Sequence, residues 1–254
     1  MRVFVTGATG WVGSAVVDDL LAAGHQVTGL ARSAGKAASL AAAGAKVVRA
    51  TLDDLDTLRS VAATADAVVH TAWGSDYSKF IENCEQDRRV IDALGAALES
   101  SNHPLLVISG LLGLPAGAKE SDLPNPTSPR KSEATARLWA ERGVRAATVR
   151  LAPSVHGLGD HGFVPILVRT AKQKGVSAYL DGQNRWAGVY RLDAARVFRL
   201  ALEKAGIEGT EVTGRAKKPY AIWRKMQEKQ LTFSRLSDIY GFRIITGTES
   251  DCYR

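Results

Sequence analysis

The sequence predicts an α/β protein with a doubly wound parallel sheet and a short, incomplete α/β appendage at its C-terminal end. Three observations predict this fold class. The chain opens with a strand, a glycine-rich turn and a helix, strand and helix patterns then alternate up to about residue 205, and the pattern changes from residue 206. We therefore expect one domain over residues 1–205 and a segment over residues 206–254 that is too small to fold independently.

The opening turn is the strongest local signal in the chain. An apolar run, Val3-Phe4-Val5, leads directly into Thr6-Gly7-Ala8-Thr9-Gly10-Trp11-Val12-Gly13. The first glycine lets the chain turn, the second lets a pyrophosphate approach the backbone, and the third lets the helix pack close to the strand. Free amides at the start of the helix would then face the phosphates. The turn therefore predicts a Rossmann fold with a dinucleotide site.

The elements that follow alternate between apolar runs and amphipathic stretches, which predicts parallel strands joined by right-handed helical crossovers. A cap at Asp53 or Asp54 is expected for the third helix. In order, we predict a helix from Val12 to Gly24, strand 25–31, helix 34–43, strand 46–50, helix 54–63, strand 67–72, helix 77–100, strand 105–110, helix 163–174, strand 176–180 and helix 193–204.

The end of the second strand bears on the choice of cofactor. An acidic residue there would bind the 2′-hydroxyl of NAD, whereas an arginine would pair with the 2′-phosphate of NADP. The sequence at this point is Ala31-Arg32-Ser33, which has no acid and one guanidinium. We therefore predict NADP. A solvated surface Arg32 is the alternative, and with it NAD remains a candidate.

Composition excludes several classes of protein. The chain has 254 residues, 45% of them apolar, and a net charge of +7 that suits an anionic ligand without requiring nucleic acid. No apolar run approaches the length of a membrane span, and the chain starts with a strand rather than a cleavable signal, so we expect a cytoplasmic protein. Its cysteines, Cys84 and Cys252, lack metal-ligand spacing, and we expect neither a metal site nor a disulfide.

The residues up to about 205 resemble the short-chain dehydrogenase/reductases, in the extended or atypical branch that includes sugar epimerases. The likeness rests on the opening turn, Leu52-Asp53, 69–72, Ser109, 150–157 and 189–195. It implies hydride chemistry on a small molecule and dimers through the fourth and fifth helices. It also implies a cofactor site composed of Gly7, Thr9, Gly10, Trp11, Val12, Gly13, Arg32, Leu52, Asp53, Thr71, Ala72, Pro153, Ser154 and Val155.

The catalytic pattern departs from that family. Its members use a Tyr-x-x-x-Lys pair in the fifth helix, but here Pro129 stands at the tyrosine position and Glu133 at the lysine position. We propose Ser109 for polarising a carbonyl, and Arg130 or Lys131, in the first turn of that helix, for reaching the ribose. The structural alternatives are that Ser109 merely ends a buried strand and that Arg130 and Lys131 are solvated cations at the start of a helix.

The resemblance also implies that residues 152–155 pass beside the nicotinamide. Two histidines, His156 and His161, flank the loop that follows this segment. An imidazole there could transfer a proton, although a loop histidine is more often an ordinary hydrogen-bonding residue.

The last 45 or so residues resemble a different family, the synthetase domain of the Rel/Spo stringent-response enzymes. The likeness runs from Glu211 to Arg254. It implies that Arg215, Lys217 and Lys225 contact ATP phosphates and that Asp238 binds magnesium. The acceptor half, the second metal-binding carboxylate and the remaining strands have no counterpart here, so we interpret this segment as an inactive tail.

Four functional hypotheses follow. The first is an NADP-dependent oxidoreductase of the atypical short-chain type, acting on a carbonyl near Ser109. The second is a dinucleotide-binding module without turnover, because the Tyr-x-x-x-Lys pair is missing. A nucleotide pyrophosphotransferase is weaker, and a nucleic-acid patch at residues 215–229 is weaker still. We therefore expect a small-molecule substrate, no nucleic-acid partner and no membrane association.

Overall fold

A computed structural model describes residues 1–204, except 75, 113, 116 and 179–185, together with residues 211–216, 227 and 240–245. The chain divides into two compact units, Met1–Leu202 and Glu203–Arg254. The first unit holds the elements that sequence patterning predicts for a doubly wound sheet.

The helices and strands alternate along most of the first unit. The strands are β1 (Arg2–Thr6), β2 (Gln26–Ala31), β3 (Lys46–Arg49), β4 (Ala67–His70), β5 (Pro104–Gly110), β6 (Arg145–Leu151), β7 (Ser154–His156) and β8 (Gly188–Tyr190). The helices are α1 (Trp11–Ala22), α2 (Ala34–Ala42), α3 (Leu55–Ala63), α4 (Phe80–Leu98), α5 (Ser132–Glu141), α6 (Phe163–Lys174) and α7 (Arg191–Lys204), with a single 3₁₀ turn at Tyr77–Lys79 before α4.

Six strands form one parallel sheet in the order β3-β2-β1-β4-β5-β6. The order reverses between β1 and β4, and ligands of such sheets bind outside the carboxyl ends of the strands at this switch point. The predicted fold class, a doubly wound parallel sheet, is confirmed. β7 and β8 form a separate parallel pair.

The core lies on both faces of the sheet because successive strand residues point in opposite directions. Val3 and Val5 join one buried cluster, which includes α1 and α7 side chains, whereas Phe4 joins the other, which includes α4 and α5 side chains. The sheet is therefore covered by helices on each side, and its carboxyl edge is left to bind a ligand.

Three local predictions were wrong. The predicted helix 77–100 is a 3₁₀ turn followed by α4, because Asp76 caps the turn through the amide of Ser78. Residues 176–178 form no strand, and the remainder of that predicted strand lies outside the described residues. The predicted cap position of α3 is confirmed at Asp54, although its carboxylate accepts hydrogen bonds from Thr51 instead of from helix amides.

The third correction concerns α5. This helix begins at Ser132, so Arg130 and Lys131 precede it and do not lie in its first turn. The reason is that the Arg130 side chain is anchored to the carbonyl of Ile108 on β5, which holds the preceding loop against the sheet.

The second unit contains an antiparallel pair, β9 (Glu211–Ala216) and β10 (Tyr240–Ile245). Arg215 lies in β9 and pairs in register with Gly241. The other three residues of the Rel/Spo likeness, Lys217, Lys225 and Asp238, lie outside the described residues. In the part of the chain that the structure describes, no helix combines the length and apolar character that crossing a membrane requires.

Candidate functional site

The turn between β1 and α1 is closely packed and depends on its glycines. Gly7 has a φ of +69°, and a Cβ atom there would lie 2.6 Å from the amide nitrogen of Ala72. A Cβ at Gly13 would lie 2.1 Å from the carbonyl oxygen of Gly7 and 2.7 Å from the hydroxyl oxygen of Thr71. Side chains at either position would push the turn away from β4. Gly7 and Gly13 therefore fix how closely helix, turn and strand approach.

The first turn of α1 presents its backbone to the carboxyl edge of the sheet. Its cap residue, Gly10, is exposed, has no side chain to offer the helix amides, and donates its own amide to the Gly7 carbonyl at 2.8 Å. The first turn carries no acidic side chain. The positive end of the helix dipole is therefore free to attract an anionic ligand. A cradle of bare backbone at the switch point fits a dinucleotide pyrophosphate.

Trp11 is held by contacts to its indole nitrogen, its ring face and its backbone carbonyl. Its indole nitrogen donates to the carbonyl of Val155 at 2.7 Å, and the Arg191 guanidinium lies 4.4 Å from its ring centroid. Arg191 also donates to the Trp11 carbonyl at 2.6 Å and to the Ser14 hydroxyl at 2.6 Å. These contacts bring the segment 153–155, which includes Pro153 and Ser154, to the start of α1. The predicted nicotinamide segment and the glycine turn therefore meet.

The segment after β4 lines the opposite side of the turn. Thr71 donates its hydroxyl to the Thr6 carbonyl at 2.8 Å, and the same carbonyl accepts the Thr71 amide at 3.2 Å. Ala72 is buried directly against Gly7. Small residues are therefore necessary at this strand end.

Arg32 follows β2 directly and is exposed. The next residue, Ser33, caps α2 by accepting the Lys36 amide at 3.4 Å, and the first turn of α2 has no acidic residue. Arg32 and the N-terminus of α2 therefore lie together at the carboxyl end of β2, and both attract anions.

The segment after β3, which the resemblance assigns to the cofactor site, makes several contacts within the protein. Leu52 packs against the core, while the Asp53 carboxylate accepts the side-chain amide of Gln86 at 2.9 Å and pairs with Arg89 at 3.5 Å. These contacts tie the segment to α4. Thr51 in turn holds the pKa of Asp54 below its usual value through two hydrogen bonds.

The three proposed catalytic residues have different surroundings. Ser109 is part-exposed near the carboxyl end of β5. Arg130 donates to the Ile108 carbonyl at 3.1 Å and to the Ser132 hydroxyl at 2.8 Å, and burial lowers the pKa of its guanidinium. Lys131 instead donates to the carbonyl of Pro126 at 2.7 Å, within its own loop. Ser109 and Arg130 thus lie at the same strand end.

The position of the missing family lysine is taken up by an ion pair. Glu133 binds Arg150 in a bidentate pair, with a distance of 2.9 Å from the guanidinium Nε, and the two side chains are only 14% and 12% exposed. Arg150 also donates to the carbonyls of Lys119 and Asp122, which fixes the loop before α5. Glu133 is therefore part of a structural cluster.

The two loop histidines do not converge. The ring of His161 contacts the edge of Trp11 at 5.4 Å, whereas His156 packs against Tyr190 at 5.9 Å. Among the described residues, no group of three or more histidine, cysteine, aspartate or glutamate side chains is arranged to hold a metal ion.

Sequence reasoning missed a buried polar chain behind the site. It connects Thr6, His70, Asp87 and Ser132, which come from four different elements. Trp73 and Arg191 were also missed as contacts of the site. The positions of His70 and Trp73 around the small residues after β4 were a usable signal, but the pairing of Asp87 with Ser132 spans 45 residues and has no local pattern.

Most of the first unit matches a family model and proteins from other organisms. A family model described as NAD(P)H-binding matches residues 7–150. An uncharacterized protein of Schizosaccharomyces pombe is 49% identical over 250 residues, covering 96% of this chain and 81% of the relative. The 2-alkyl-3-oxoalkanoate reductase of Stenotrophomonas maltophilia is 30% identical over 239 residues, covering 85% of this chain and 69% of the relative.

A solved structure shares the fold. MoeE5 in complex with UDP-glucose and NAD superimposes with a TM-score of 0.65 at 25% identity, covering 81% of this chain and 73% of MoeE5. The expected likeness to the epimerase branch of the short-chain dehydrogenase/reductases is confirmed.

The end of the chain matches a different group. A model described as a region found in RelA and SpoT proteins covers residues 214–254. The GTP pyrophosphokinase rsh of Brucella melitensis is 52% identical over 52 residues, which is 20% of this chain and 7% of that protein. The expected Rel/Spo likeness is confirmed, and it spans a small part of the complete enzyme.

Proposed function

Since this chain belongs to the NAD(P)H-binding family whose model matches more than half of it, we propose that it is an NADP-dependent oxidoreductase acting on a small carbonyl compound. The observation that carries the proposal is the glycine turn at the switch point. Added side chains at Gly7 and Gly13 would collide with the backbone, and the bare amides of α1 face the carboxyl edge. Such backbone cradles bind the pyrophosphate of dinucleotides.

NADP is preferred over NAD because of the residues after β2. Arg32 and Lys36 supply positive charge, Ser33 supplies a hydroxyl, and no acid is present to bind a 2′-hydroxyl. An arginine pairs well with a phosphate through parallel N–H donors. This arrangement supports recognition of the 2′-phosphate.

The proposed reaction takes place where the ends of β4 and β5 meet. The reduced nicotinamide, when bound, supplies the hydride that is transferred to the substrate carbonyl carbon. Ser109 would donate a hydrogen bond to the carbonyl oxygen and so stabilise the negative charge that develops there, while Arg130, at the same strand end, would hold the substrate beside it. Lys131 is assigned to the ribose side, although its present partner is the Pro126 carbonyl. The name of the S. maltophilia relative makes a 3-oxoalkanoate the first substrate to test.

A dinucleotide-binding module without turnover is the second candidate. The specific observation that favours it is the Glu133–Arg150 pair, which occupies the position of the family's catalytic lysine. NADPH oxidation measured with a panel of carbonyl compounds separates the two candidates. Binding of NADPH without oxidation of any member of the panel would favour the module.

The cofactor assignment is tested by titrating NADPH and NADH against the wild-type chain and Arg32→Ala. Loss of the charged contact should weaken NADPH by about 1–3 kcal/mol, which is about 5- to 150-fold, while NADH affinity stays within twofold. Arg137→Ala is the matched control, because that exposed arginine pairs with Glu141 on α5. Equal weakening of both cofactors by Arg32→Ala would contradict the assignment.

A further inference from the structure

Arg130 is held in one orientation by three contacts. Its Nε donates to the Ser132 hydroxyl at 2.8 Å, one terminal nitrogen donates to the Ile108 carbonyl at 3.1 Å, and its guanidinium carbon lies 4.2 Å from the centroid of the Trp73 ring. Stacking fixes the plane of the guanidinium, and the two hydrogen bonds fix its rotation in that plane. Arg130 is therefore pre-organised before any substrate binds.

The charge of Arg130 is only indirectly compensated. Among the described residues no carboxylate forms an ion pair with it, and its link to Asp87 passes through the Ser132 hydroxyl. By contrast, Arg150 and Arg199, which are also part-buried, each pair directly with a carboxylate. An arginine has five N–H donors, and the two protein hydrogen bonds of Arg130 leave three of them for a ligand.

The support behind Arg130 is buried and continuous. Ser132 donates to one Asp87 oxygen at 2.5 Å, and the other Asp87 oxygen lies 3.1 Å from Nε2 of His70, whose Nδ1 lies 2.7 Å from the Thr6 hydroxyl. These four side chains are at most 3% exposed. These side chains come from β1, β4, α4 and α5. Arg130 is therefore anchored, through Ser132, to buried side chains of four elements.

The location of Arg130 is the carboxyl edge of the sheet. Pairing between β4 and β5 ends at His70 and Val107, one residue before Ile108, whose carbonyl Arg130 binds. Trp73 directly follows Ala72, which packs against Gly7 of the cofactor turn. A molecule held at this edge would therefore meet both the Arg130 cation and the edge of the cofactor cradle.

We propose that Arg130, stacked on Trp73, binds the carboxylate of an oxo-acid substrate, with Ser132 and Asp87 as its positioning residues. This inference rests on the proposed oxidoreductase function and names the substrate class of the same site. A planar cation with free parallel donors matches a carboxylate, and the absence of a protein counter-ion among the described residues leaves that role to the ligand. In the reaction, the carbonyl carbon accepts the hydride from NADPH, its π electron pair moves to oxygen, and that oxygen takes a proton from solvent.

The test uses a matched pair of substrates, 3-oxobutanoate and its methyl ester, with NADPH. We expect the wild-type chain to prefer the acid and Arg130→Met to lose about 10- to 100-fold in kcat/KM for the acid but less than threefold for the ester. Arg130→Lys, which keeps the charge and lacks the fork, should fall between. Equal losses for acid and ester would overturn the inference.

A binding measurement keeps the inference testable if turnover is slow. Saturating 3-oxobutanoate should raise the melting temperature of the NADPH-loaded wild-type chain and of Arg137→Met, and leave that of Arg130→Met unchanged. No shift in the wild-type chain would overturn the inference. Failure of the wild-type chain to bind NADPH would instead contradict the proposed function.

The positioning role is tested with Ser132→Ala. We expect its KM for the acid to rise about three- to tenfold with little change in kcat, while the ester is unaffected. A residue that only stabilises the fold would change both substrates alike, and that result would remove Ser132 from the positioning role.

Discussion

Two regions at the carboxyl edge of the sheet are both candidate ligand sites, but one is formed by backbone and the other by side chains. The turn after β1 is made of backbone, and its shape follows from three glycines at fixed spacing. The region between β5 and α5 is made of side chains, and its shape follows from hydrogen bonds between residues as far as 64 positions apart. A backbone site tolerates almost no added atom, whereas a side-chain network is sensitive to the loss of a partner. The two regions should therefore fail under different substitutions.

The largest expected effect is at the backbone site. Gly13→Val places carbon atoms against the Gly7 carbonyl and the Thr71 hydroxyl, so the turn must open. We expect about a 100-fold loss of affinity for both cofactors, equivalent to two lost charge-assisted hydrogen bonds, and about 3 kcal/mol of destabilisation. Cofactor titration and urea unfolding measure these effects.

Gly35→Ala is the matched control for that prediction. This glycine lies in α2 with no atom within 4 Å of an added Cβ, so the change should stabilise the chain by about 0.5–1 kcal/mol and leave NADH affinity unchanged. If Gly13→Val bound NADH as well as Gly35→Ala does, the cradle would not be the pyrophosphate site.

The side-chain region should respond to the removal of one charge. Glu133→Gln leaves Arg150 without its carboxylate in a mostly buried position, and we expect about 2 kcal/mol of destabilisation in urea unfolding. Cofactor affinity should change less than threefold, because Glu133 belongs to the loop cluster and not to the cradle. A large loss of cofactor affinity without destabilisation would show that Glu133 acts at the cofactor.

The smallest effect is expected at the opposite, amino edge of the same strands. The Arg2 guanidinium and backbone amide hold the pKa of Asp66 at about 2, below its usual 3.8. The bond therefore contributes stability above about pH 4 and loses it as the pH falls toward 2. Both side chains are substantially exposed, so screening reduces the contribution to about 1 kcal/mol.

Asp66→Asn tests this contribution by urea unfolding between pH 7 and pH 3. The variant should be less stable than the wild-type chain at pH 7, and the difference should shrink as the pH falls. Asp56→Asn, which removes an exposed carboxylate paired with the half-exposed Arg59, is the control and should show a much smaller change with pH. A difference that grew toward acid pH would contradict the assigned direction.

The comparison also explains what the sequence could predict. The role of Gly7, Gly10 and Gly13 could be predicted from local sequence, because the strand, turn and helix are contiguous. The parallel sheet could be predicted from the alternation of strand and helix patterns. The start of α5 was placed too early because a long-range bond from Arg130 to Ile108 decides it. The buried hydrogen-bonded side chains that link Thr6 to Ser132 were not predictable for the same reason, since none of these hydrogen bonds joins near neighbours in sequence.

The most direct measurement is amide hydrogen exchange of the wild-type chain with and without NADPH. The account predicts that the cofactor slows exchange at residues 11–13, where the bare amides of α1 would bind the pyrophosphate, with a smaller effect at 71–74. Unchanged exchange at residues 11–13 in a chain saturated with NADPH would contradict the claim that this turn holds the cofactor.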